Sequence, residues 1–314
     1  MKRKSSSSTT AVKWPAYLQR DAQNLYNQLW GAGFHAKHFI APTPVSMERH
    51  HLGELEESHV VSEKNDGERA LLLLGREKKS GDPYTVFVMR NRELKHVDAT
   101  AEDDVKQSLF IGMKDPKPVH IHDGTLLDGE LMKNGTFVVF DAVVVGGYDM
   151  KTQPSYALRM RAARDVVSYF TFPFRVLVKT FYAVSEIYKA LSESKGDQDG
   201  LIFMPKSEVI RTGRQESMIK WKPKEKCTID LQWTGTEFVC VGQNGGTEVP
   251  PLDAPIPDDS LVTGGIYECS PPDSDGDPWV VGHHRKDKVA ANHIVTVRRT
   301  IRTIQDDIQL DEIQ

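Results

Sequence analysis

Cysteines and long apolar runs are both scarce in this sequence. Its 314 residues include three cysteines, and none of them stands in CxxC spacing. Such a set gives neither a disulfide framework nor a zinc site, so we expect a reducing compartment. The longest uninterrupted apolar run, residues 70–74, is too short to span a bilayer. No signal peptide is visible, and we expect a protein that is not secreted.

Strong net charge and several well-known motifs are missing as well. The formal charge of -4 argues against a general nucleic-acid coat, so we expect any nucleic-acid contact to be local. The dipeptide Gly-Lys does not occur, which excludes a P-loop, and GxSxG, HExxH and GxGxxG are absent too. The histidine pairs at 50/51, 120/122 and 283/284 have no partner at metal-ligand spacing, so they predict surface positions.

The patterns along the chain predict an α+β protein with two domains. Residues 1–12 are basic and then rich in serine and threonine, which is typical of a disordered tail; the KRK in it also fits a weak nuclear-import signal. Short β-rich runs alternate with helical patterns over residues 13–224, the expected main domain. Strand patterns dominate residues 225–314, the expected smaller domain.

Individual segments carry these predictions. Helices are predicted at 17–30, 156–170 and 183–194, and a C-terminal helix is expected after Asn292 as its cap. Strands are predicted in ALLLLG, YTVFVMR, TLLDGELM, TFVVFDAVVVGG, DGLIFMP and GGIYECS, and CTIDLQW and TEFVCVG predict a hairpin.

The stretch SEKNDGERALLLL places Lys64 beside an Asp-Gly turn, ahead of a strand. A lysine attacks phosphorus only as the free amine, and at the ordinary pKa of about 10.4 roughly one in 2,500 is neutral at pH 7. Nearby cations and partial burial lower a lysine pKa, and Arg69, Lys220 and Lys222 are the candidates. Residues two apart share one face of a strand, so the lysines of KWK point into one cleft or line a solvated edge. Alone, Lys64 fits a surface charge as well as a nucleophile.

Acidic and aromatic residues supply further candidates. Asp128 and Glu130 in LLDGEL, and Asp199 in DGLIF, are suited to hold a divalent metal ion on phosphates. Each Asp-Gly pair also fits an ordinary turn. Phe140 stands in an otherwise aliphatic strand, where it fits either a residue that stacks on a base or a core residue.

The order of these segments resembles that of the covalent nucleotidyltransferases, the superfamily of mRNA capping enzymes and ATP-dependent polynucleotide ligases. KNDGER is similar to the KxDGxR motif, and LLDGEL, FVVFDAVVVGG, DGLIFMP and MIKWKP are similar to the next four motifs. WVVGHHRKDKVAAN resembles the last motif, RxDK, which belongs to an appended OB-fold domain. The resemblance runs from about residue 42 to residue 303.

The forms of the motifs separate the branches of this superfamily. DGER is also frequent in DNA ligases, whereas PVSM, TLLDGEL, DGLIFMP and KWKP are closer to the forms in capping guanylyltransferases. The sequence is therefore identified as a member of the stand-alone mRNA guanylyltransferases. The alternatives are an ATP-dependent DNA or RNA ligase that uses lysyl-AMP, and a non-catalytic module that binds GTP or RNA 5′ ends.

The resemblance implies a fold and a two-step reaction. The fold is a nucleotidyltransferase domain at 13–224, with ATP-grasp-like antiparallel sheets and helices. An OB-fold β-barrel follows at 225–314, and its C-terminal helix is expected to pack back on the first domain. Lys64 would attack GTP, release pyrophosphate and form lysyl-GMP; the 5′-diphosphate end of an RNA would then take the GMP to form the GpppN cap.

The resemblance also implies a role for each matching residue. Arg69 and Glu130 are expected to face the ribose, and Phe140 is expected to stack on guanine. Asp199, together with Glu130, is expected at a Mg²⁺ or Mn²⁺ site. The phosphates are expected to contact Arg90, Lys220 and Lys222.

The final motif implies that the second domain closes on the pyrophosphate. The residues expected to orient it are Arg285, Asp287 and Lys288, and residues 223–226 are the candidate hinge. Many capping enzymes have an arginine where this chain has His283, which replaces that contact only when protonated.

The implied partners are GTP, RNA with a 5′-diphosphate, and a separate RNA triphosphatase and cap methyltransferase. We expect a monomer that does not bind membranes. Its expected location is the nucleus if the source is cellular, and the cytoplasm or a virus factory if it is viral.

Overall fold

A computed structural model gives the fold. It describes residues 14–31, 39–97, 120–192, 199–257, 259–274, 276–286 and 288–313. The predicted tail at 1–12 lies outside these ranges. Within them, no helix has the length and apolar character to cross a membrane.

The described residues contain five α-helices and seventeen strands. The helices are α1 (Ala16–Trp30), α2 (Leu55–Ser58), α3 (Tyr156–Tyr169), α4 (Ile187–Ser192) and α5 (Ile294–Asp306). The strands are β1 (Pro42–Ser46), β2 (His59–Glu63), β3 (Glu68–Arg76), β4 (Pro83–Met89), β5 (Leu94–Val97), β6 (Thr125–Leu131), β7 (Phe137–Val145), β8 (Tyr148–Asp149), β9 (Val176–Val178), β10 (Tyr182–Ala183), β11 (Leu201–Pro205), β12 (Gly213–Trp221), β13 (Ile229–Trp233), β14 (Phe238–Val241), β15 (Thr247–Glu248), β16 (Ile266–Ser270) and β17 (Val280–His284).

The chain divides into two compact units that alternate along the sequence. The described residues of the first unit fall within Met1–Ala41, Gly67–Lys179 and Glu208–Arg211. Those of the second fall within Pro42–Asp66, Thr180–Ser207 and Thr212–Gln314. The predicted domain boundary at residue 224 stays a prediction.

A seven-stranded sheet forms the scaffold of the first unit. Its order is β5-β4-β3-β6-β7-β8, with β9 paired to β7. Leu72 of β3 lies in one core cluster with Ala163 of α3, whereas Leu71 lies in another with Tyr26 of α1. Successive side chains of a strand point to opposite faces, so both faces of β3 are covered. This explains why the strand reads as a continuous apolar run.

One of the two sheets in the second unit carries the predicted nucleophile segment. Its order is β1-β12-β11-β2-β10, and its core contains Val61, Phe203 and Trp221 together with Ile308 and Ile313 near the C terminus. Trp221 Nε1 donates a hydrogen bond to Ile308 O at 2.8 Å. The C-terminal segment is therefore fixed to this sheet.

The other sheet of the second unit is a five-stranded antiparallel sheet of order β15-β14-β13-β16-β17. α5 buries Ile294 and Val297 against it, in one cluster with Ile229 and Leu231. The strands are consistent with the predicted OB fold, although within the described residues they do not close into a barrel. β15 pairs with β14 and β17 pairs with β16, so no ladder joins the two edges.

Most predicted elements are confirmed, including the α+β class and the hairpin of β13 and β14. The predicted cap at Asn292 is wrong. His293 caps α5 and accepts a hydrogen bond from Val295 N at 3.2 Å. Asn292 Oδ1 instead accepts one from Asp230 N at 2.9 Å, which removes it from the helix end. The helix predicted at 183–194 begins later, as α4, because a 3₁₀ turn precedes it.

A buried ion pair fixes α3 to β7. Arg159, which is 2% exposed, donates from Nε and Nη2 to the two carboxylate oxygens of Asp141 at 2.8 and 3.1 Å. Its Nη1 also donates to the backbone oxygens of Gln153 and Glu208, both at 2.8 Å. Burial raises the pKa of Asp141, and the Arg159 charge opposes that rise. Each charge compensates the other, so removal of either side chain would leave a buried, unpaired charge and lower the stability of the fold.

Replacing Arg159 by methionine should lower the free energy of unfolding by about 3–5 kcal/mol, because Asp141 would remain as a buried, unpaired charge. Urea denaturation followed by circular dichroism measures this loss. Arg161→Met, on the exposed side of the same helix, is the matched control and should change the value by less than about 0.5 kcal/mol. Equal losses in the two variants would contradict the assignment.

Candidate active site

Two lysines share one carboxylate. Lys64 directly follows β2, Lys222 directly follows β12, and the carboxylate of Asp199 lies just before β11. Lys64 N donates to Gly200 O at 2.8 Å, and Asp199 N donates to Lys64 O at 3.3 Å. These bonds continue the antiparallel pairing of the two strands. The Lys64 ammonium donates to Asp199 Oδ2, and Lys222 Nζ lies 2.6 Å from Asp199 Oδ1. Each oxygen of Asp199 therefore has its own lysine.

Gly200 is required because β12 approaches it closely. Its φ is +134°, and a Cβ built on it would lie 2.0 Å from Trp221 O. No other residue fits at this position without moving the strand. The Asp-Gly pair of DGLIF thus holds Asp199 beside β12.

Charge and burial set the protonation of this cluster. Burial, followed by the charges of Lys222 and Lys64, lowers the pKa of Lys220. For Asp199, burial favours the neutral acid, but hydrogen bonds from Lys222 and Lys64 outweigh it and hold the pKa below its ordinary value. Burial raises the pKa of the nearby Cys227 thiol to about 11, so this thiol is protonated at neutral pH and is a poor nucleophile.

A second cluster lies in the first unit, where a two-pronged ion pair holds Arg69. Its Nε and Nη2 contact the Oδ1 and Oδ2 atoms of Asp128 at 3.0 and 2.5 Å. The guanidinium carbon lies 5.4 Å from the centre of the Phe140 ring and 5.9 Å from that of Phe39. Burial raises the pKa of Asp128, and Arg69 opposes the rise. The pair therefore fixes the guanidinium plane above an aromatic ring.

The turn that follows Lys64 is tied to β6. Gly67 N donates to Glu130 Oε1 at 3.1 Å, and Glu130 lies opposite Arg69 in the ladder of β3 and β6. A Cβ on Gly67 would lie 2.8 Å from both Glu130 Cγ and Leu131 O. The glycine of KNDGER is thus needed for close approach to this strand.

Phe140 is half-buried and lies on β7. Among the described residues it belongs to neither core cluster of the first unit. Its backbone oxygen accepts a hydrogen bond from the Tyr156 hydroxyl at 2.6 Å, which fixes the strand at this point. These features favour a ring that contacts a ligand over a ring that fills the core.

The remaining predicted residues lie elsewhere. Arg90 is exposed directly after β4. Arg285 Nη1 donates to Asp230 Oδ1 at 2.9 Å, and Lys288 Nζ lies 3.3 Å from Asp230 Oδ2. Asp287 lies outside the described residues.

The predicted site residues form separate groups in the structure. The second unit brings Lys64, Asp199 and Lys222 together, with Lys220 close enough to respond to the lysine charges. The first unit brings Arg69, Glu130 and Phe140 together. Asp199 and Glu130 belong to different units, so their common metal site stays a prediction. Within the described ranges, no group of three or more His, Cys, Asp or Glu side chains is arranged to hold a metal ion.

The structure corrects one candidate and adds one acidic residue. Asp128 is a poor candidate for a metal ligand, because it is buried and its two oxygens hold Arg69. Asp230, which holds Arg285 and Lys288, was not predicted to act in the site. Asp230 stands at a polar position of an alternating strand, a pattern that predicts solvent exposure and gave no signal of burial. The sequence did not show which cations it would hold.

Comparison with known proteins identifies two family matches. The model described as mRNA capping enzyme, catalytic domain, matches residues 6–224, and the one described as mRNA capping enzyme, C-terminal domain, matches residues 215–314. The mRNA-capping enzyme subunit alpha of Kluyveromyces lactis is 22% identical, over 96% of this chain and 82% of its own. The protein of the same name from Schizosaccharomyces pombe is 24% identical, over 88% and 79%.

Among solved structures, a mycobacterial DNA ligase D complexed with ATP and MES is similar to 79% of this chain and 95% of its own. The TM-score is 0.44 at 15% identity, which is too low to support an argument. The assignment of family therefore rests on the sequence matches.

Replacing Asp199 by asparagine should lower the pKa of Lys220 further, because the carboxylate charge opposes the effect of the neighbouring lysines. An NMR titration of the lysine Cε–Hε signals measures this change. Glu225→Gln, which removes an exposed acid from the segment after β12, is the matched control and should leave that pKa in place. The same shift in both variants, or none in Asp199→Asn, would contradict the electrostatic assignment.

Proposed function

The chain belongs to the mRNA capping enzyme family, and from this premise we propose that it is an mRNA guanylyltransferase whose nucleophile is Lys64. The observation that carries the residue assignment is the carboxylate of Asp199, which holds Lys64 and Lys222 on its two oxygens. A lysine with other cations around it is suited to reaction with a phosphate ester, because those cations favour the free amine. The substrates are GTP and an RNA with a 5′-diphosphate end.

The reaction has two displacements at one phosphorus. In the first, the Lys64 amine forms a bond to the α-phosphorus of GTP, and the bond to the β-phosphate oxygen breaks to release pyrophosphate. In the second, a terminal oxygen of the RNA diphosphate attacks the same phosphorus, and the nitrogen–phosphorus bond breaks to return the amine. Such displacements depend mainly on positioning and on neutralisation of charge.

Lys64 must leave Asp199 and lose a proton before it attacks, because an ammonium has no lone pair. Lys222 and Lys220 surround the same carboxylate, and we assign them to the phosphates, together with Arg90. The anionic triphosphate would attract Lys222 away from Asp199. Since Lys64 contacts the same carboxylate, the electrostatic environment of Lys64 would change as well.

A divalent metal ion fits this chemistry. We propose that the carboxylates of Asp199 and Glu130 are its protein ligands. Unlike Asp128, Asp199 is partly exposed, but each of its oxygens holds a lysine, so an ion would bind there only after a lysine moves to the phosphates. Mg²⁺ often binds one or two carboxylates together with substrate phosphates. Mg²⁺ or Mn²⁺ would supply neutralisation of the phosphate charge.

The first unit supplies the nucleoside side of the proposed site. Phe140 would stack on guanine, and Arg69 and Glu130 would contact the ribose. The ion pair of Arg69 with Asp128 supports this assignment, because it fixes the guanidinium before a ligand arrives. Arg285 and Lys288 are assigned to the pyrophosphate, and Asp287 joins them by its place in the motif.

We propose that the chain works as a monomer with a separate RNA triphosphatase and cap methyltransferase. The name subunit alpha, carried by the relatives from Kluyveromyces lactis and Schizosaccharomyces pombe, supports the existence of a partner. The proposed location is the nucleus of a cell, or the cytoplasm or virus factory for a viral source.

Incubation with α-labelled GTP and Mg²⁺ should attach label to the protein, and Lys64→Arg should lose it because arginine keeps the charge without a usable amine. Denaturing gel electrophoresis measures the adduct. Lys206→Arg changes an exposed lysine and is expected to label normally. Label from ATP alone would indicate a ligase, and a labelled Lys64→Arg protein would refute the nucleophile. GTP binding without any adduct would indicate a non-catalytic module.

Phe140→Leu should weaken GTP binding about 5- to 150-fold, since stacking of a base on an aromatic ring contributes about 1–3 kcal/mol. Isothermal titration calorimetry measures the change. Binding of pyrophosphate, which has no base, should be unaffected. Phe172→Leu alters another half-buried ring of the same unit and is the control. Equal weakening of GTP and pyrophosphate would argue against stacking.

A further inference from the structure

Ser46 is the last residue of β1, in the PVSM segment, and it lies on the same face of its sheet as Lys220. Val45 stands opposite Ile219 in the parallel ladder of β1 and β12, and the next pair in this ladder is Ser46 with Lys220. Val45 and Ile219 are 6% and 2% exposed and belong to one core cluster. Since successive side chains of a strand point to opposite faces, the half-buried Ser46 and Lys220 point away from this core.

The face opposite the core continues across the sheet. Ile219 pairs with Phe203 of β11, and Phe203 pairs with Val61 of β2. Phe203 and Val61 belong to the same core cluster as Ile219. Lys64 comes three residues after Val61, and Lys222 three residues after Ile219, so both point to the other face, where they share one carboxylate. This lysine face therefore contains Ser46, Lys64, Lys220 and Lys222.

The ladder of β1 and β12 is irregular just before Ser46. Pro44 pairs with Gln215, but the next residue of β1 pairs with Ile219, so residues 216–218 of β12 have no partner in β1. Because side chains alternate, an insertion of three residues reverses the face of β12 that lies beside β1. Ser46 lies beside a lysine of KWK because of this insertion. Irregularities of this kind often re-aim side chains next to active sites.

The Ser46 hydroxyl is available to a ligand, whereas the backbone around it is fixed. Met47 N donates to Lys220 O at 2.8 Å, which continues the ladder beyond β1. Within the described ranges, Ser46 Oγ has no hydrogen-bond partner. The hydroxyl of Ser62 on β2 differs, because it donates to Glu63 Oε2 at 2.9 Å. A serine hydroxyl donates one hydrogen bond, and a bond to an anionic oxygen is stronger than one to a neutral acceptor.

The strand order places Ser46 on the far side of Lys220 from the nucleophile. The order is β1-β12-β11-β2, and neighbouring strands lie about 4.8 Å apart, so β1 and β2 are roughly 14 Å apart. Lys64 directly follows β2, Lys220 lies on β12, and Ser46 ends β1. A chain of phosphates that starts at Lys64 and contacts Lys220 therefore extends towards Ser46.

The two displacements of the proposed reaction use one position for a diphosphate. Lys64 enters at the α-phosphorus in the first step and leaves it in the second, and the attacking and leaving groups of phosphoryl transfer are roughly in line. The pyrophosphate therefore leaves, and the RNA diphosphate enters, on the side of the phosphorus opposite Lys64. A residue that contacts this diphosphate position acts in both steps.

We propose that Ser46 contacts the substrate in both steps, by donating a hydrogen bond from Oγ to the outer phosphate of the diphosphate. That phosphate is the γ-phosphate of GTP in the first step and the α-phosphate of the RNA end in the second. The proposal rests on the proposed function, in which Lys64 is the nucleophile and Lys220 contacts phosphates. Ser46 recognises neither the guanine base nor the RNA sequence, because its acceptor is common to both substrates.

Ser46→Ala should slow both steps by about 10- to 100-fold at subsaturating substrate, because each step loses a hydrogen bond to a charged oxygen. Rapid-quench labelling with α-labelled GTP measures formation of the adduct. Isolated labelled adduct, mixed with 5′-diphosphate RNA, measures the transfer. Binding of GMP, which has no diphosphate, should stay within about twofold of the unsubstituted value by isothermal titration calorimetry.

Three further variants separate the hydrogen bond from packing. Ser46→Thr keeps the hydroxyl and should hold both rates within about threefold of the unsubstituted chain, whereas Ser46→Cys, with its weak donor, should be slow. Thr43→Val removes an exposed hydroxyl from the same strand and should leave both rates unchanged. Thermal unfolding checks that each variant is folded, and the cysteine variant replaces the alanine variant if the latter is not.

Several results would overturn the proposal. Unchanged rates in Ser46→Ala would refute the contact, and slowing of one step alone would contradict the shared diphosphate position. Equal slowing in the alanine and threonine variants, or weaker binding of GMP, would indicate a structural role for this side chain. If the unsubstituted chain forms no adduct at all, the proposed function fails, and this inference fails with it.

Discussion

The pairing of Lys64, Lys222 and Arg69 with buried or half-buried carboxylates is the interaction on which the site depends. Asp199 holds Lys64 and Lys222, and Asp128 holds Arg69. A long basic side chain has many rotamers, and a charged partner at a fixed strand position selects among them. Anions that bind here contact cations that are already oriented. The positions of the acidic residues on their strands determine where those cations lie.

The fold was largely predictable because its signals are local. Apolar runs and alternation identified the strands, and the order of the motifs linked Lys64 with Asp199, Lys220 and Lys222. The sequence could not show that the β13–β17 sheet stays open within the described residues, because barrel closure depends on pairing between strands that are distant in sequence. The prediction of the α5 cap was wrong for a related reason. Asparagine is a good cap in isolation, but the side chain of Asn292 accepts a hydrogen bond from Asp230 N instead.

The acidic partners of the site were the part that sequence reasoning missed. Arg69 and Asp128 are 59 positions apart, and Arg285 and Asp230 are 55 apart. Their contact depends on the register of several strand ladders. Neither composition nor motif spacing determines that register. Asp128 illustrates the difficulty: its neighbour Glu130 lies two residues away on the same strand, yet only the structure shows that Asp128 is occupied by an arginine.

The alternation of the two units along the chain has a consequence for how this protein can vary. The chain passes between the units after residues 41, 66, 179, 207 and 211. No single cut therefore separates one complete unit from the other, and neither can be exchanged as one contiguous cassette. The boundary after residue 66 falls inside KNDGER itself, so the motif that carries the nucleophile is also a covalent joint. A single crossover after residue 66, 179 or 207 would divide both units, whereas one after residue 41 or 211 would divide only one of them.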